Sequence, residues 1–164
     1  MSATRLPGKP LLKINGISII SHVFKKAENA DIGEVIVAAE DQEIVDDVKS
    51  NGGSAILTSK SHKTGTDRIY EAFTMTGRND IDFIMNVQGD EPDIDINDVK
   101  LLDSKMKMNN SKIGTLAANI ISQEMYEDEN VVKVKIGEPF NKDSFPYAKN
   151  FMRRTKDQVD VFHH

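Results

Sequence analysis

Short apolar, β-branched runs alternate along this chain with stretches of helical periodicity, and this alternation limits the fold more than any other feature. The runs that predict buried strands occupy 34–38, 54–57, 82–87, 114–121 and 131–136. Helices are predicted between them, at 17–30, 41–51, 67–75 and 96–108. Strands separated by helices favour parallel pairing, because each crossover returns the chain in the same direction. We therefore expect an α/β fold in which helices cover both faces of a mostly parallel sheet.

The composition narrows the class of partner. The 164 residues include 21 Lys and Arg against 26 Asp and Glu, so the formal net charge is −5. An overall negative field disfavours nucleic-acid backbones, and any phosphate site must depend on local cations. The absence of cysteine excludes disulfides, thiolate metal sites and thiol catalysis. No apolar run approaches the length of a membrane span, and we expect a cytoplasmic protein with no nucleic-acid or membrane partner.

The chain opens on a basic turn, Ser2-Ala-Thr-Arg-Leu-Pro-Gly-Lys-Pro-Leu11. Gly8 permits a close approach of the backbone, while Arg5 and Lys9 supply positive charge. Such a turn can lay backbone N–H groups, a guanidinium and an ammonium against a triphosphate. The alternative interpretation is a solvated basic turn with a structural Pro-Gly pair.

A second polar loop, His62-Lys-Thr-Gly-Thr-Asp-Arg68, leads into the helix predicted at 67–75. Small hydroxyl residues and a glycine at a helix N-terminus can hold a flat base edge or a ribose. The alternative is an ordinary helix cap, in which Thr66 or Asp67 is the capping residue and His62 is exposed.

The third loop, Asn86-Val-Gln-Gly-Asp-Glu-Pro92, overlaps the end of the strand predicted at 82–87. A carboxylate at the end of a parallel strand is well placed to hold Mg²⁺ against phosphates, which makes Asp90 the candidate ligand. Gln88 offers a donor and an acceptor to a polar ligand. A polar β-turn is the alternative. Together the three loops predict a bound nucleotide, magnesium at Asp90, and nucleotidyl transfer to an acceptor that these residues leave open.

These three segments, in this order and spacing, resemble the 3-deoxy-manno-octulosonate (KDO) cytidylyltransferases, or CMP-KDO synthetases. Two later segments, Asn130-Val-Val-Lys-Val134 and Ala148-Lys-Asn-Phe-Met-Arg153, resemble further parts of that family. The resemblance implies a three-layer, mostly parallel, Rossmann-like nucleotidyltransferase sheet. It also implies that CTP and KDO react to give CMP-KDO and pyrophosphate for lipopolysaccharide synthesis, with Mg²⁺ as cofactor and a homodimer as the full-length form.

The resemblance further implies a role for individual residues. The implied catalytic residues are Lys9, Gln88 and Asp90, with Asp90 as the Mg²⁺ ligand. The implied nucleotide-binding residues are Arg5, Gly8, Lys9, Thr64, Gly65, Thr66, Arg68 and Gln88. The implied sugar-binding residues are Gln88, Arg153 and His164. On this interpretation Arg5 and Lys9 contact the CTP phosphates, and the hydroxyl loop frames the cytidine.

Members of the resembled family normally have a strand before the opening motif and continue past the final His pair. We therefore expect residues 1–164 to be a single partial nucleotidyltransferase domain, without that first strand or the C-terminal part, and with little or no transferase activity. Two alternatives stay open: a related cytidylyltransferase for 8-amino-KDO or sialic acid, and a non-catalytic binding protein of the same fold. Magnesium-dependent CTP binding would separate an enzyme from a scaffold.

Overall fold

The computed structural model describes residues 8–141, 144–156 and 159–164. The chain divides into two compact units, Met1–Lys100 and Leu101–His164. Helices and strands occur in both, so the mixed α/β class is confirmed. In the described ranges no helix is both long and apolar enough to cross a bilayer. That residues 1–164 form a single partial domain stays a prediction.

The first unit begins with a tight hairpin that the sequence analysis missed. A 3₁₀ turn at Lys9–Leu11 leads into β1 (Lys13–Ile14), which pairs antiparallel with β2 (Ile17–Ser18). Asn15 and Gly16 join the two strands with φ angles of 51° and 83°. Asn-Gly is favoured in two-residue hairpin turns because both residues tolerate positive φ. The Asn15-Gly16 dipeptide is therefore the sequence signal that predicts this hairpin.

The core of the first unit is a β–α–β element packed against α1 (Ile19–Asn29). The strand β3 (Val37–Ala39) is followed by α2 (Gln42–Ser50) and then by β4 (Ala55–Leu57), which pairs parallel with β3. The buried core residues are Ile20, Phe24, Ala39, Val45, Val48 and Ala55. Gly53 packs so tightly that an added Cβ would lie 2.7 Å from the Val48 side chain. The predicted strand–helix–strand order is confirmed here.

Helix α3 (Gly65–Thr76) begins two residues before its predicted start. The residue that caps it is Thr64, not Thr66 or Asp67, because the Thr64 hydroxyl accepts the Asp67 N–H at 3.1 Å. The side chain of an N-cap residue accepts the backbone N–H of the third residue after it. The bond from the Asp67 N–H therefore identifies Thr64, one position before the first helical residue, as the cap.

The strand predicted at 82–87 is wrong for the described structure. This segment is irregular, and no described strand pairs with it. Phe83 and Ile84 are 38% and 50% exposed. A strand is held in a sheet by hydrogen bonds to a neighbouring strand, so an apolar run forms a strand only where a partner backbone lies alongside.

The second unit contains a three-stranded antiparallel sheet in the order β6-β5-β7. Its strands are β5 (Lys133–Ile136), β6 (Ala148–Met152) and β7 (Val161–His163), and α4 (Ile96–Met108) and α5 (Gln123–Glu127) precede them. The predictions at 96–108 and 131–136 are confirmed, whereas 114–121 contributes a single bridge, Ala118 to His163.

One described strand pairing is parallel and three are antiparallel. A mostly parallel sheet is therefore not what the described residues form. The physical reason is clearest between β5 and β6. Parallel neighbours need a long crossover connection, usually a helix, and the described residues between β5 and β6 form no helix.

Candidate functional site

The structure brings the opening turn and the acidic turn of the first unit together. Lys9 Nζ donates to Asp90 Oδ2 at 2.9 Å, although 81 positions separate the two residues. Their side chains are 35% and 47% exposed, so both remain accessible to a ligand. Gly8 precedes the 3₁₀ turn with φ 75°, a left-handed conformation that favours glycine. Two of the three predicted catalytic residues thus form one accessible ion pair.

The turn that carries Gln88 and Asp90 rests closely on α1. A Cβ added to Gly89 would lie 2.6 Å from Ile20 Cδ1, so the backbone approaches the core side chain through this glycine. The Glu91 N–H donates to the Gln88 carbonyl at 3.3 Å and closes the turn. The Gln88 side chain is exposed, which leaves the predicted polar contact available to a ligand.

Three of the predicted nucleotide-binding residues lie at the exposed start of α3. The Thr64 hydroxyl donates to Asp67 Oδ2 at 2.7 Å while it accepts the Asp67 N–H, so it is committed to the cap. Gly65 and Thr66 are exposed in the first turn. A helix start carries partial positive charge and N–H donors, which suit a polar or anionic ligand group.

Arg68 has different surroundings from the other residues of its loop. It is 8% exposed. Its guanidinium forms an ion pair with Glu40 and donates to Thr58 Oγ1 at 2.7 Å and to the Ser59 carbonyl at 3.3 Å. Because Glu40 follows β3 and Thr58 follows β4, these contacts fasten α3 to the carboxyl ends of the parallel strands.

Glu71 lies three residues after Arg68 on the same helix and was not predicted from the sequence as part of the site. Its carboxylate accepts hydrogen bonds from His62 Nε2 and, at 2.9 Å, from the Ser59 N–H. The bond from His62, followed by the bond from Ser59, lowers the pKa of Glu71. The i, i+3 spacing of the two charges was visible in the sequence. Nothing in the sequence showed that the preceding loop folds back onto these two side chains. Because it does, His62 is only partly exposed.

The two predicted sugar-binding residues outside the loops lie in the second unit. Arg153 follows β6 and His164 follows β7, and both strands flank the start of β5. Arg153 Nη1 donates to the Glu129 carbonyl, and the His164 N–H donates to the Val132 carbonyl, both at 2.9 Å. The His164 ring lies edge-on to Phe151, with centroids 4.9 Å apart. These two residues therefore share one end of the antiparallel sheet.

Lys133, between those two residues, is fully buried with 0% exposure. Its ammonium donates to the carbonyls of Asp128 and Arg153, at 2.5 and 3.1 Å. Nearby, the hydrogen bond from Arg154 is the main cause of a lowered pKa at Glu129. Sequence reasoning used Lys133 only as part of a resembling segment and assigned it no role.

The structure places the predicted residues without testing their roles. Arg5 lies outside the described residues. Gly8, Lys9, Gln88 and Asp90 belong to two turns that meet, and Thr64, Gly65 and Thr66 lie at one helix start. Among the residues that the structure describes, no three His, Asp or Glu side chains cluster as metal ligands.

Comparison with known proteins gives a consistent result. The model of a family described as cytidylyltransferase matches residues 1–162. The chain is 42% identical over 140 residues to the 3-deoxy-manno-octulosonate cytidylyltransferase of Nitrobacter winogradskyi, covering 85% of this chain and 55% of that protein. It is 40% identical over 167 aligned positions to the protein of the same name from Rhodopseudomonas palustris (strain BisB5), covering 100% of this chain and 67% of that one.

A solved structure extends the similarity to three dimensions. It is a CMP:2-keto-3-deoxy-manno-octonic acid synthetase complexed with CTP, and it matches with a TM-score of 0.82 and 32% sequence identity. The match covers 98% of this chain and 66% of the solved chain. This chain spans about half the length of the curated relatives it matches.

Proposed function

We propose a function for this chain on the premise that it belongs to the cytidylyltransferase family, whose model matches residues 1–162. The chain binds CTP and belongs to an enzyme that transfers CMP to 3-deoxy-manno-octulosonate and releases pyrophosphate. The observation that carries this proposal is the 2.9 Å contact between Lys9 and Asp90. It joins the cationic and acidic turns that a metal–triphosphate site needs, and the names of the relatives support 3-deoxy-manno-octulosonate as the acceptor.

The reaction requires charge neutralisation more than covalent chemistry by the protein. The oxygen of the sugar's anomeric hydroxyl bonds to the α-phosphorus, the bond from that phosphorus to the α–β bridging oxygen breaks, and pyrophosphate leaves. The hydroxyl passes its proton to solvent water as the new bond forms. Catalysis then depends on positioning and on stabilising charge at the phosphate oxygens. Lys9 provides an accessible ammonium on a flexible stem, which suits phosphate binding.

Asp90 fits a magnesium ion that is held jointly with a triphosphate. Proteins usually bind Mg²⁺ through one or two carboxylates, with phosphate oxygens and waters completing the shell. Asp90 is a half-exposed carboxylate, so its oxygens are accessible to an ion that also binds phosphate oxygens. Bound there, the ion would neutralise phosphate charge. Lys9 would then contact the phosphates and Asp90 the metal, in place of their present contact with each other.

The test is a calorimetric titration of CTP into this chain, with and without Mg²⁺. We expect magnesium-dependent binding that the Asp90→Asn variant loses. Asp93→Asn is the matched control, because Asp93 is an exposed carboxylate three positions along the same loop. Binding that does not depend on magnesium, or that Asp90→Asn retains in full, contradicts the assignment of Asp90.

Lys9→Met tests the other half of the pair. Loss of a charge-assisted contact costs about 1.5–3 kcal/mol, so CTP affinity is expected to fall about 10- to 150-fold. Lys13→Met is the control, since Lys13 is an exposed lysine in β1. Equal CTP affinity in the two variants would contradict a phosphate role for Lys9.

The acceptor is tested by measuring pyrophosphate release by the enzyme in separate assays with KDO, 8-amino-KDO or sialic acid as the acceptor. We expect KDO to be preferred. We also propose a three-layer, Rossmann-like arrangement of helices and strands, which the parallel β3–α2–β4 element supports. Sequence reasoning also leads us to propose a homodimer, a cytoplasmic location and no nucleic-acid partner, and sedimentation analysis would test the homodimer.

A further inference from the structure

We propose that Arg68 and Glu71 are positioning residues that hold the loop 58–64 in its binding shape, and that Arg68 does not itself touch the nucleotide. The nature of the ligand rests on the proposed function. The part of the proposal that concerns the loop rests only on hydrogen bonds within the protein. This assigns Arg68 a different role from the cytidine contact that the family resemblance implies.

The two charged side chains hold opposite sides of one residue. Glu71 accepts the Ser59 N–H at 2.9 Å, and Arg68 Nη1 donates to the Ser59 carbonyl at 3.3 Å. Arg68 and Glu71 are three positions apart on α3 and therefore lie on the same helix face. Ser59 is thus held at both its amide and its carbonyl by one helix.

The guanidinium of Arg68 is occupied by the protein. Its side chain is 10% exposed and forms an ion pair with Glu40, whose side chain is 22% exposed. It also donates to Thr58 Oγ1 at 2.7 Å. Turning the guanidinium towards a ligand would leave the Glu40 carboxylate partly buried without its cation, which is costly.

Thr58 connects this arrangement to the parallel strands. Its N–H and its hydroxyl both donate to the Ala39 carbonyl, at 2.8 and 3.0 Å. The loop therefore starts at a residue fixed to the end of β3 and finishes at Thr64, the cap of α3. Both ends of the loop are thus anchored, and Arg68 contacts the residues that follow both strands. Arg68 therefore determines where the exposed Gly65 and Thr66 lie relative to the strand ends.

Amide hydrogen exchange of Ser59, measured by NMR without ligand, tests the grip. We expect Arg68→Met and Glu71→Met each to speed exchange at Ser59 by about tenfold or more, because both variants loosen the loop locally. Arg78→Met is the matched control. Arg78 is also a paired arginine, bound to Glu34 and Asp80, but it lies beyond the C-terminal end of α3. Unchanged Ser59 exchange in both loop variants overturns the proposal.

CTP binding with Mg²⁺ tests the consequence for the ligand in a double-mutant cycle. We expect Glu40→Gln and Arg68→Met each to weaken CTP binding by about tenfold, and the double variant to be no weaker than the worse single variant. A direct ligand would behave differently: Arg68→Met would weaken binding while Glu40→Gln bound CTP as the wild type does. That result overturns the proposal.

The two measurements separate this inference from the proposed function. If the wild-type chain does not bind CTP, the proposed function fails, and Ser59 exchange still decides whether Arg68 and Glu71 hold the loop. If Arg68→Met does not fold, Arg68→Lys replaces it. Lysine keeps the charge but lacks the planar fork, so it is expected to restore folding without restoring Ser59 protection. Full protection in Arg68→Lys counts against the proposal.

Discussion

Two buried cations, Arg68 in the first unit and Lys133 in the second, are accommodated in different ways. Arg68 is 8% exposed and faces the Glu40 carboxylate, a hydroxyl and a backbone carbonyl. Lys133 is 0% exposed, and its described hydrogen bonds go to the carbonyls of Asp128 and Arg153. Lys133 also helps to lower the pKa of Glu129, but the hydrogen bond from Arg154 is the larger cause.

The difference shows what each region requires of its cation. A planar guanidinium can satisfy several acceptors in fixed directions, and Arg68 uses this to link β3, β4 and α3 around a loop. An ammonium is a compact point charge, and Lys133 links the turn before β5 to the end of β6. Removing Arg68 leaves a carboxylate without its partner, whereas removing Lys133 leaves only neutral carbonyls. Of the four predictions below, the first two test that asymmetry directly, and the other two compare the charged groups that neighbour each cation.

The largest effect is expected for Arg68→Met. Breaking one side of a substantially buried ion pair costs about 3 kcal/mol of unfolding free energy, because the remaining charge stays desolvated. Urea denaturation of the chain measures it, with Arg78→Met as the exposed-arginine control. A loss no larger than the control's would show that Glu40 is neutralised in another way.

Lys133→Met is expected to cost less, about 2 kcal/mol, because two backbone carbonyls in a partly buried contact lose a donor but no charge is left unpaired. The comparison with Arg68→Met in the same denaturation experiment is the critical measurement. Lys112→Met is the control, since Lys112 is an exposed lysine of the second unit. A larger loss for Lys133→Met than for Arg68→Met would reverse the interpretation of the two cations.

The contribution of Glu71 is expected to depend on pH. The His62 hydrogen bond, followed by that of Ser59, lowers its pKa below the ordinary value of 4.5. A carboxyl with a depressed folded pKa stabilises above its unfolded pKa and loses this contribution as the pH falls through the folded value. Ser59 protection should therefore decline in acid below about pH 4.5, relative to an amide in α2. In Glu71→Met the profile should be flat, and a parallel decline there would exclude Glu71 as the cause.

The smallest effect is expected at the exposed pair of Arg154 and Glu129. The side chains are 77% and 53% exposed, and exposed pairs contribute little because water and salt screen them. Arg154→Met should leave the unfolding midpoint unchanged within error, while the pKa of Glu129 rises towards its ordinary value. An NMR titration of the Glu129 carboxyl checks the second outcome, and an unaltered pKa would refute Arg154 as the main cause of the shift.

The predictions from sequence succeeded where the signal is local. The helix at 96–108 and the strand–helix–strand order around α2 follow from periodicity, capping and terminating residues. The hairpin at Asn15-Gly16 could have been predicted from the same kind of signal. The segment 82–87 failed for the opposite reason, because its apolar character is local but its pairing depends on a neighbouring strand.

The candidate site divides in the same way. The sequence alone determined which residue types cluster in each loop: a glycine and a lysine at 8–9, hydroxyls before α3, and Gln88 with Asp90 in the acidic turn. Only the tertiary structure decided that Lys9 meets Asp90 across 81 positions, and that Arg68 turns inward to Glu40. Residue type fixes the chemistry that a side chain can perform. Whether it reaches a ligand or another side chain depends on burial and on which distant segment folds against it, and neither is encoded in the spacing of a motif.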